Sequence, residues 1–364
     1  MDFNIGVVLP QSKEFPKLGK EFINGIRLVF DEEELQLKVE GIGFGNNSER
    51  VIDAIEKLSN QNELSCITGI LGHKDLSIIL DHIERIGEQL IYTDFGATCP
   101  LDLSGRSGVF CNSLDLYGAT ELLGRYFLDN KLFKVATSTC YYESGYGFIE
   151  AIQNTLYKEN QGSFAGHFIT PLHPRSNEAV LLKEFVEATT PDVLFAFHNG
   201  TFAKEHAEFL AASKVLENTP LYTLPFTVTS QILDLFPALF DKTRTVSSWL
   251  PEDTQSRANI DFMQKYFQKY KKQPSVFAIL GYENGLLMKQ KLEGDNYEEL
   301  HGPRGLLKIN SETNRVVVSH RLWEINWNNE SYEYDLIDSL TYSNSHNFQV
   351  SDPNSGWHNA YLCV

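Results

Sequence analysis

The chain has 364 residues, of which 42% are apolar and 22% charged, and its formal net charge is -17. That length allows two or three domains with sizeable cores, and the composition is ordinary for a globular protein. The acidic balance argues against nucleic acid as a partner and against docking on anionic lipid by charge, since both need basic surfaces.

No run of about 18 apolar residues occurs, so no membrane-spanning helix is expected. The N-terminus passes almost at once into a strand-like run, Phe3 to Leu9, with no basic region followed by an apolar leader. The expectation is therefore twofold: cytoplasmic if Met1 is the native start, periplasmic or lipid-anchored outside the cell if a leader has been removed. The five cysteines are Cys66, Cys99, Cys111, Cys140 and Cys363. An odd count leaves a thiol unpaired within the chain, and no metal-binding Cys or His spacing is present. Separate buried thiols are favoured over a Cys99–Cys111 disulfide. No cofactor or metal is expected.

Strand and helix patterns alternate along most of the chain. Strand Asn4–Leu9 leads to helix Leu18–Glu33, whose Phe22, Ile26, Val29 and Phe30 share a face. Strand Leu35–Gly43 and helix Ser48–Ser59 follow, with Ser48 as the expected N-cap. A strand from Cys66, the helical run Leu76–Ile86 and the strand-like Gln89–Asp94 come next, then a short strand Val109–Asn112. Helix Leu116–Leu128, strand Lys134–Thr139 and helix Phe148–Leu156 continue the pattern. Strand Ala165–Thr170, helix Ser176–Ala188 and strand Asp192–Phe197 repeat it. A helix through Leu210, strand Pro220–Leu224, a further helix and strand Thr243–Trp249 complete it. Helices Ala258–Lys271 and Val276–Leu292 precede a predicted hairpin of Gly305–Ile309 and Arg315–Ile325 around the turn Ser311–Asn314. Residues 337–364, rich in Ser, Asn and Asp, are expected to be an irregular tail. One sheet this large is disfavoured, and two doubly wound α/β lobes fit better.

In such sheets ligands sit beyond the carboxyl ends of the strands, where loops and helix N-termini present free N–H groups. The loops Gly72-His73-Lys74-Asp75 and Gly96-Ala97-Thr98 both follow strands and are expected to wall a cleft. His73 and His198 could donate to a ligand there, and Asp75 could accept; Asp75 could equally be a helix N-cap. Glu143 and Glu283 could meet a ligand cation, or be ordinary surface charge. The predicted cleft loops are rich in aromatics, among them Phe15, Tyr146, Phe226, Trp249 and Tyr282, which suits an apolar or aromatic ligand.

Five pieces resemble one family in order. They are the N-terminal IGVVLPQSKEFPKLGKEFINGIRLVFDE, then YTDFGATCP, CYYESGYGFIEAI, AILGYENGLLM and GPRGLLKINSETNRVVVSHRLWEI. Together they resemble the type I periplasmic solute-binding proteins, within them the branched-chain amino acid and amide-binding branch (Leu/Ile/Val-binding protein-like). The resemblance covers roughly residues 4–327 and implies two Rossmann-like lobes joined by a three-crossing hinge, with ligand between them. It implies lobe 1 as residues 1–113 plus 248–301 and lobe 2 as 114–247 plus 302–336, with crossings near Ser113, Ser248 and His301. It places ligand contacts in loop 1, Gln11 to Phe15 (Gln11, Ser12 and Phe15 foremost), at Gly96, Ala97 and Thr98, at Tyr146, and at the late-helix Tyr282; the His198-Asn199 loop, which follows the strand Asp192–Phe197, is expected to add hydrogen bonds. Two departures stand out. The family's Ser hydroxyl after the third strand is replaced by Asp75-Leu76, and no acid occurs near Thr223–Phe226 to pair an ammonium. An uncharged, amide-like, peptide-like or aromatic ligand is thereby favoured over a free amino acid.

The expected function is that of a non-enzymatic solute-binding protein that delivers a small molecule to the membrane subunits of an ABC importer. The alternative is a ligand-sensing regulator of the same fold. A hydrolase using Ser144 and His198 is the least favoured reading, since no nucleophile-elbow or phosphate-loop motif is present.

Overall fold

The computed structural model describes residues 3–158, 161–294 and 299–342. The first lobe is built by β1 (Phe3–Leu9), α1 (Leu18–Ile26), β2 (Leu35–Gly41), α2 (Ser48–Gln61), β3 (Cys66–Ile70), α3 (Leu76–Ile86), β4 (Leu90–Thr93) and β5 (Val109–Cys111). The second is built by α4 (Leu116–Asp129), β6 (Lys134–Cys140), α5 (Phe148–Lys158), β7 (Ser163–Thr170), α6 (Glu178–Thr189), β8 (Val193–Phe197), α7 (Gly200–Ser213), β9 (Leu221–Thr223), α8 (Ser230–Leu235) and β10 (Arg244–Ser247). The chain continues through α9 (Arg257–Tyr270), α10 (Val276–Glu293), β11 (His301–Gly302), β12 (Gly305–Leu306), β13 (Ile309–Asn310), β14 (Arg315–Val316), β15 (His320–Trp327) and β16 (Tyr332–Leu340).

Each lobe holds a seven-stranded, mostly parallel sheet, in the orders β13-β14-β5-β4-β3-β1-β2 and β16-β15-β10-β9-β8-β6-β7. The central strands β3, β4, β8 and β9 are buried along their whole length. Parallel strands covered on both faces read as continuous apolar runs, as CITGI and VLFAF do. β15 closes the second sheet by pairing antiparallel with β10, and β16 pairs antiparallel with β15.

α1 and α10 lie backbone to backbone. A Cβ on Gly25 would stand 2.0 Å from the Ala278 carbonyl oxygen, and one on Gly281 would stand 2.0 Å from that of Phe22. Glycine at both positions permits the approach, which draws loop 1, ahead of α1, towards the start of α10.

Three connections pass between the sheets, at residues 112–115, 248–256 and 317–319, and polar links hold them together. The buried Arg304 guanidinium pairs with Glu283 at 2.6 Å and donates to the Ser113 carbonyl at 2.7 Å and to Asn112 Oδ1 at 2.5 Å. His320 Nε2 meets Asp115 Oδ2 at 3.0 Å, and Arg321 pairs with Asp253. The largest apolar cluster runs through both lobes, from Phe3 and Ile5 to Phe197 and Leu322.

Several expectations need correction. Helix α1 ends at Ile26, not Glu33, ahead of the acidic run Asp31–Glu34; carboxylates at a helix C-terminus oppose its dipole. The cap of α2 is Asn47, whose Oδ1 accepts from Arg50 N–H, rather than Ser48. The predicted hairpin strand Arg315–Ile325 is two strands in different lobes. β14 pairs with β5 in the first sheet and β15 with β10 in the second. Residues 309–316, expected in the second lobe, therefore extend the first sheet, and the crossing expected near His301 lies at 317–319. Residues 337–340 of the expected tail belong to β16, edge of the second sheet; 343–364, with Cys363, lie outside the described residues. Cys66, Cys111 and Cys140 are buried free thiols, and Cys99 is buried as well. Burial first, and then the nearby Glu88 and Asp94 carboxylates, push the Cys66 and Cys111 thiols up to about 12.

Candidate functional site

The lobes meet through the loops at the carboxyl ends of their strands. Loop 1 follows β1 and is held by Ser12, whose hydroxyl accepts from Phe15 N–H at 2.9 Å. Its Glu14 reaches across to the start of α7, where its carboxylate accepts from Thr201 N–H at 2.8 Å and from the Thr201 hydroxyl at 3.0 Å. An anion at a helix N-terminus completes unpaired N–H groups and meets the positive end of the dipole. The second bridge is backbone to backbone. Gly147 N–H, before α5, donates to the Ala97 carbonyl at 2.8 Å.

An aromatic chain crosses the same interface. Phe15 sits 5.4 Å from Phe277 of α10 and 6.0 Å from Phe226 of the second lobe. Phe277 meets Phe95 at 5.8 Å, and Phe226 meets Phe197 at 6.4 Å. Beside this chain, on the hinge side, lies a cavity of about 570 Å³. Its walls are loop 1 and the first turns of α1, the start of α10, residues 225–231, the strand and loop 245–252, and His320. The size falls within the range of small-molecule sites, and so does the balance of many apolar and few polar lining groups.

Of the predicted ligand residues, Phe15, Phe226 and Trp249 line this cavity. Trp249 is fixed by its indole N–H, which donates to Asn259 Oδ1 at 2.7 Å. Gln11 and Ser12 border a second hollow beside loop 1, together with Phe44. Gly96, Ala97 and Thr98 stand at the lobe contact. Gly96 has φ +61, and a Cβ there would meet the Asp115 Cα at 2.7 Å, so the loop is pressed against the first hinge connection. Thr98 is half-buried, its Cα 3.1 Å from where a Gly147 Cβ would be. Tyr146 is buried and packs on Phe148 at 6.1 Å.

The remaining predicted residues are engaged elsewhere. Asp75 is exposed and in the left-handed region at φ 53. It stands at the N-cap position of α3 but makes no cap bond, and instead accepts from the Ser48 hydroxyl at 3.1 Å. Half-buried His73 lies in the same turn, its carbonyl accepting from Leu76 N–H. Tyr282 faces α9, with its ring 4.9 Å from Phe262. Asn199 donates to the buried Glu143 carboxyl, which also accepts from the Cys140 thiol. Burial pushes Glu143 up to about 7. Glu143 and Glu283 are therefore interior groups, with their partners inside the protein, rather than surface charge. His198 is wholly buried, stacked on His206 at 3.8 Å and 3.3 Å from Ser138 Oγ. Ser144 donates to the Tyr141 carbonyl at 2.7 Å, so the Ser144–His198 pair of the hydrolase reading is not formed.

Phe277, Thr245, Ser248 and His320 line the cavity and are not among the residues expected from the sequence, while Glu14 falls inside the expected loop 1, Gln11 to Phe15. Phe277 lay in the expected helix Val276–Leu292, one residue ahead of the late-helix motif. Thr245 and Ser248 lay in a predicted strand, and His320 in a predicted hairpin, where nothing local marks a binding role.

A family model for periplasmic binding protein matches residues 2–294. The chain belongs to the periplasmic binding protein family. Solved structures of the same fold include an ABC transporter substrate-binding protein from Sphaerobacter thermophilus, 16% identical, with a TM-score of 0.78 over 94% of this chain and 98% of that one. A solute-binding protein of an ABC transporter from Rhodopseudomonas palustris, in complex with p-hydroxybenzoic acid, is 14% identical, with a TM-score of 0.72 over 94% and 97%. A leucine-binding protein from Thermotoga maritima is 14% identical, with a TM-score of 0.67 over 93% and 99%. Among curated proteins no sequence matches. At these identities the structures establish the shared fold.

Proposed function

We propose that this periplasmic binding protein is the extracytoplasmic solute receptor of an ABC importer, and that it holds a small, largely apolar solute between its lobes. The observation that carries the reading is the cavity of about 570 Å³, walled by Phe15 and Phe277 from one lobe and Phe226 from the other, beside the hinge connections. A solute there touches both lobes at once, so binding favours the closed arrangement over the open one by its differential affinity. The Glu14–Thr201 contact and the Ala97–Gly147 bond complete the closed state. The membrane subunits of the importer would then recognise closed protein. Relatives of this fold that take hydroxybenzoic acid or leucine support an aromatic or aliphatic body for the solute.

The test is a thermal-shift screen across aromatic acids, amides, alcohols, amino acids and short peptides, followed by calorimetry and small-angle scattering on each hit. A ligand that binds only the folded state raises the melting temperature by mass action. At least one solute class is expected to do so, with a fall in radius of gyration. A screen in which no class stabilises the protein refutes the reading.

A further inference from the structure

The hinge side of the cavity holds two buried polar atoms that have no hydrogen-bond partner among the described residues: Ser248 Oγ and His320 Nδ1. Their residues are 8% and 1% exposed, and both line the cavity. The antiparallel pairing of Ser247 with Arg321 sets Ser248 beside His320 on adjacent strands. Unpaired polar groups in an interior are costly and uncommon, and two on adjacent strands at the wall of one cavity mark where a ligand's polar group is received.

The chemistry of that group follows from His320. Its Nε2 lies 3.0 Å from the Asp115 carboxylate. A carboxylate only accepts, so Nε2 carries the proton, and in the neutral imidazole Nδ1 is left as an acceptor facing a donor on the ligand. The Ser248 hydroxyl can accept or donate. The charged groups nearby disfavour an anion: Glu14 and Glu252 line the cavity against Lys17, and Glu21 is already paired with Lys272 at 2.7 Å.

Resting on the solute-binding reading above, we propose that Ser248 and His320 form the polar subsite of the pocket. The solute they select is a neutral molecule with an apolar, aromatic-sized body and a hydrogen-bond donor, an amide or a hydroxyl in place of a carboxylate. The subsite is separate from the Gly96–Thr98 loop. Because His320 also bonds Asp115 in the first hinge connection, the bound donor rests directly on the hinge.

Three probes sharing one body separate the possibilities: 3-phenylpropionamide, its methyl ester analogue (neutral, no donor) and 3-phenylpropionate (anionic, no donor), each titrated by calorimetry into the full chain. The amide is expected to bind at least about tenfold more tightly than either of the others. Ser248→Ala and His320→Gln should each weaken the amide about tenfold and leave the ester nearly unchanged, whereas Thr98→Val should leave the amide unchanged. Melting curves of the free variants check that each is folded. Carboxylate binding as tight as the amide's, or no binding of the amide, overturns the assigned ligand class. If the broad screen yields a solute whose affinity is indifferent to Ser248→Ala and His320→Gln, the subsite is refuted while the solute-binding function stands. If that screen yields none, the function falls and the subsite with it.

Discussion

His206→Phe is expected to change how stability depends on pH. His206 is wholly buried and stacked on His198, with neither ring nitrogen hydrogen-bonded among the described residues. Burial pushes its pKa from the ordinary 6.5 down to about 3. His198, facing it, is also pushed down, first by burial and then by the charges of His206 and His167. The folded state therefore keeps His206 neutral where the unfolded chain takes up a proton. Its contribution is fully present above about pH 6.5 and is lost progressively as pH falls towards 3. From about pH 6.5 to about pH 5 the loss is about 1.5 pH units at about 1.4 kcal/mol each, or about 2 kcal/mol. Glu143 and Glu121, both pushed up to about 7 by burial, act in the opposite sense and gain stability as pH falls. The absolute pH profile therefore mixes both effects, and the difference between wild type and variant isolates the histidine. Urea unfolding of both proteins at about pH 7, 6 and 5 measures it. The stability gap should move by about 2 kcal/mol in favour of the variant on acidification, whatever the packing change contributes at every pH. A gap that stays constant with pH would show that His206 is not held neutral in the fold.

Arg304→Met strands the wholly buried Glu283 carboxylate and should destabilise the protein by about 3–5 kcal/mol in chemical denaturation, with partial recovery on adding Glu283→Gln. Gly281→Ala drives a methyl group against the Phe22 carbonyl and should force α1 from α10, lowering stability by about 1–3 kcal/mol or more and widening the aromatic contact between Phe15 and Phe277. Glu14→Ala removes the carboxylate from the start of α7. It should weaken the closed state by about 1 kcal/mol, seen as faster dissociation of any solute found in the screen; an unchanged dissociation rate would remove Glu14 from the closing contact.

Much of the fold was legible because period-two and period-3.6 apolar patterns are written locally. CITGI, VLFAF and the helix faces of α1 and α3 carry their own burial pattern, and the order of elements suggested two lobes. The hairpin at 315–325 misled for a physical reason. A run of apolar and β-branched residues reads the same whether it pairs with β5 or with β10, and only the hinge decides where it divides. Glu143 and Glu283 misled in the same way. A carboxylate's partner is not visible in its neighbours when that partner is Asn199 or Arg304, and without the partner an exposed position is the sensible expectation.

The aromatic wall was half legible. Phe15, Phe226 and Trp249 follow predicted strands at their carboxyl ends, where the parallel-sheet rule places ligands, and the structure sets all three around one cavity. Thr98 and Tyr146 obeyed the same rule and reached the lobe contact instead. Loop chemistry tells which residues face the cleft but not how the lobes close upon them.

By itself, then, the sequence determined the alternating α/β elements, the acidic surface and the aromatic character of the cleft, since each arises from composition or from periodicity within a few turns of chain. Tertiary structure alone decided the hinge floor, where residues 114–119, 245–252, 274–277 and 320 converge. It also decided which hydroxyls and imidazole nitrogens there are left without partners. Those properties depend on contacts between segments tens to hundreds of residues apart, and no local pattern encodes which polar group will be buried unpaired.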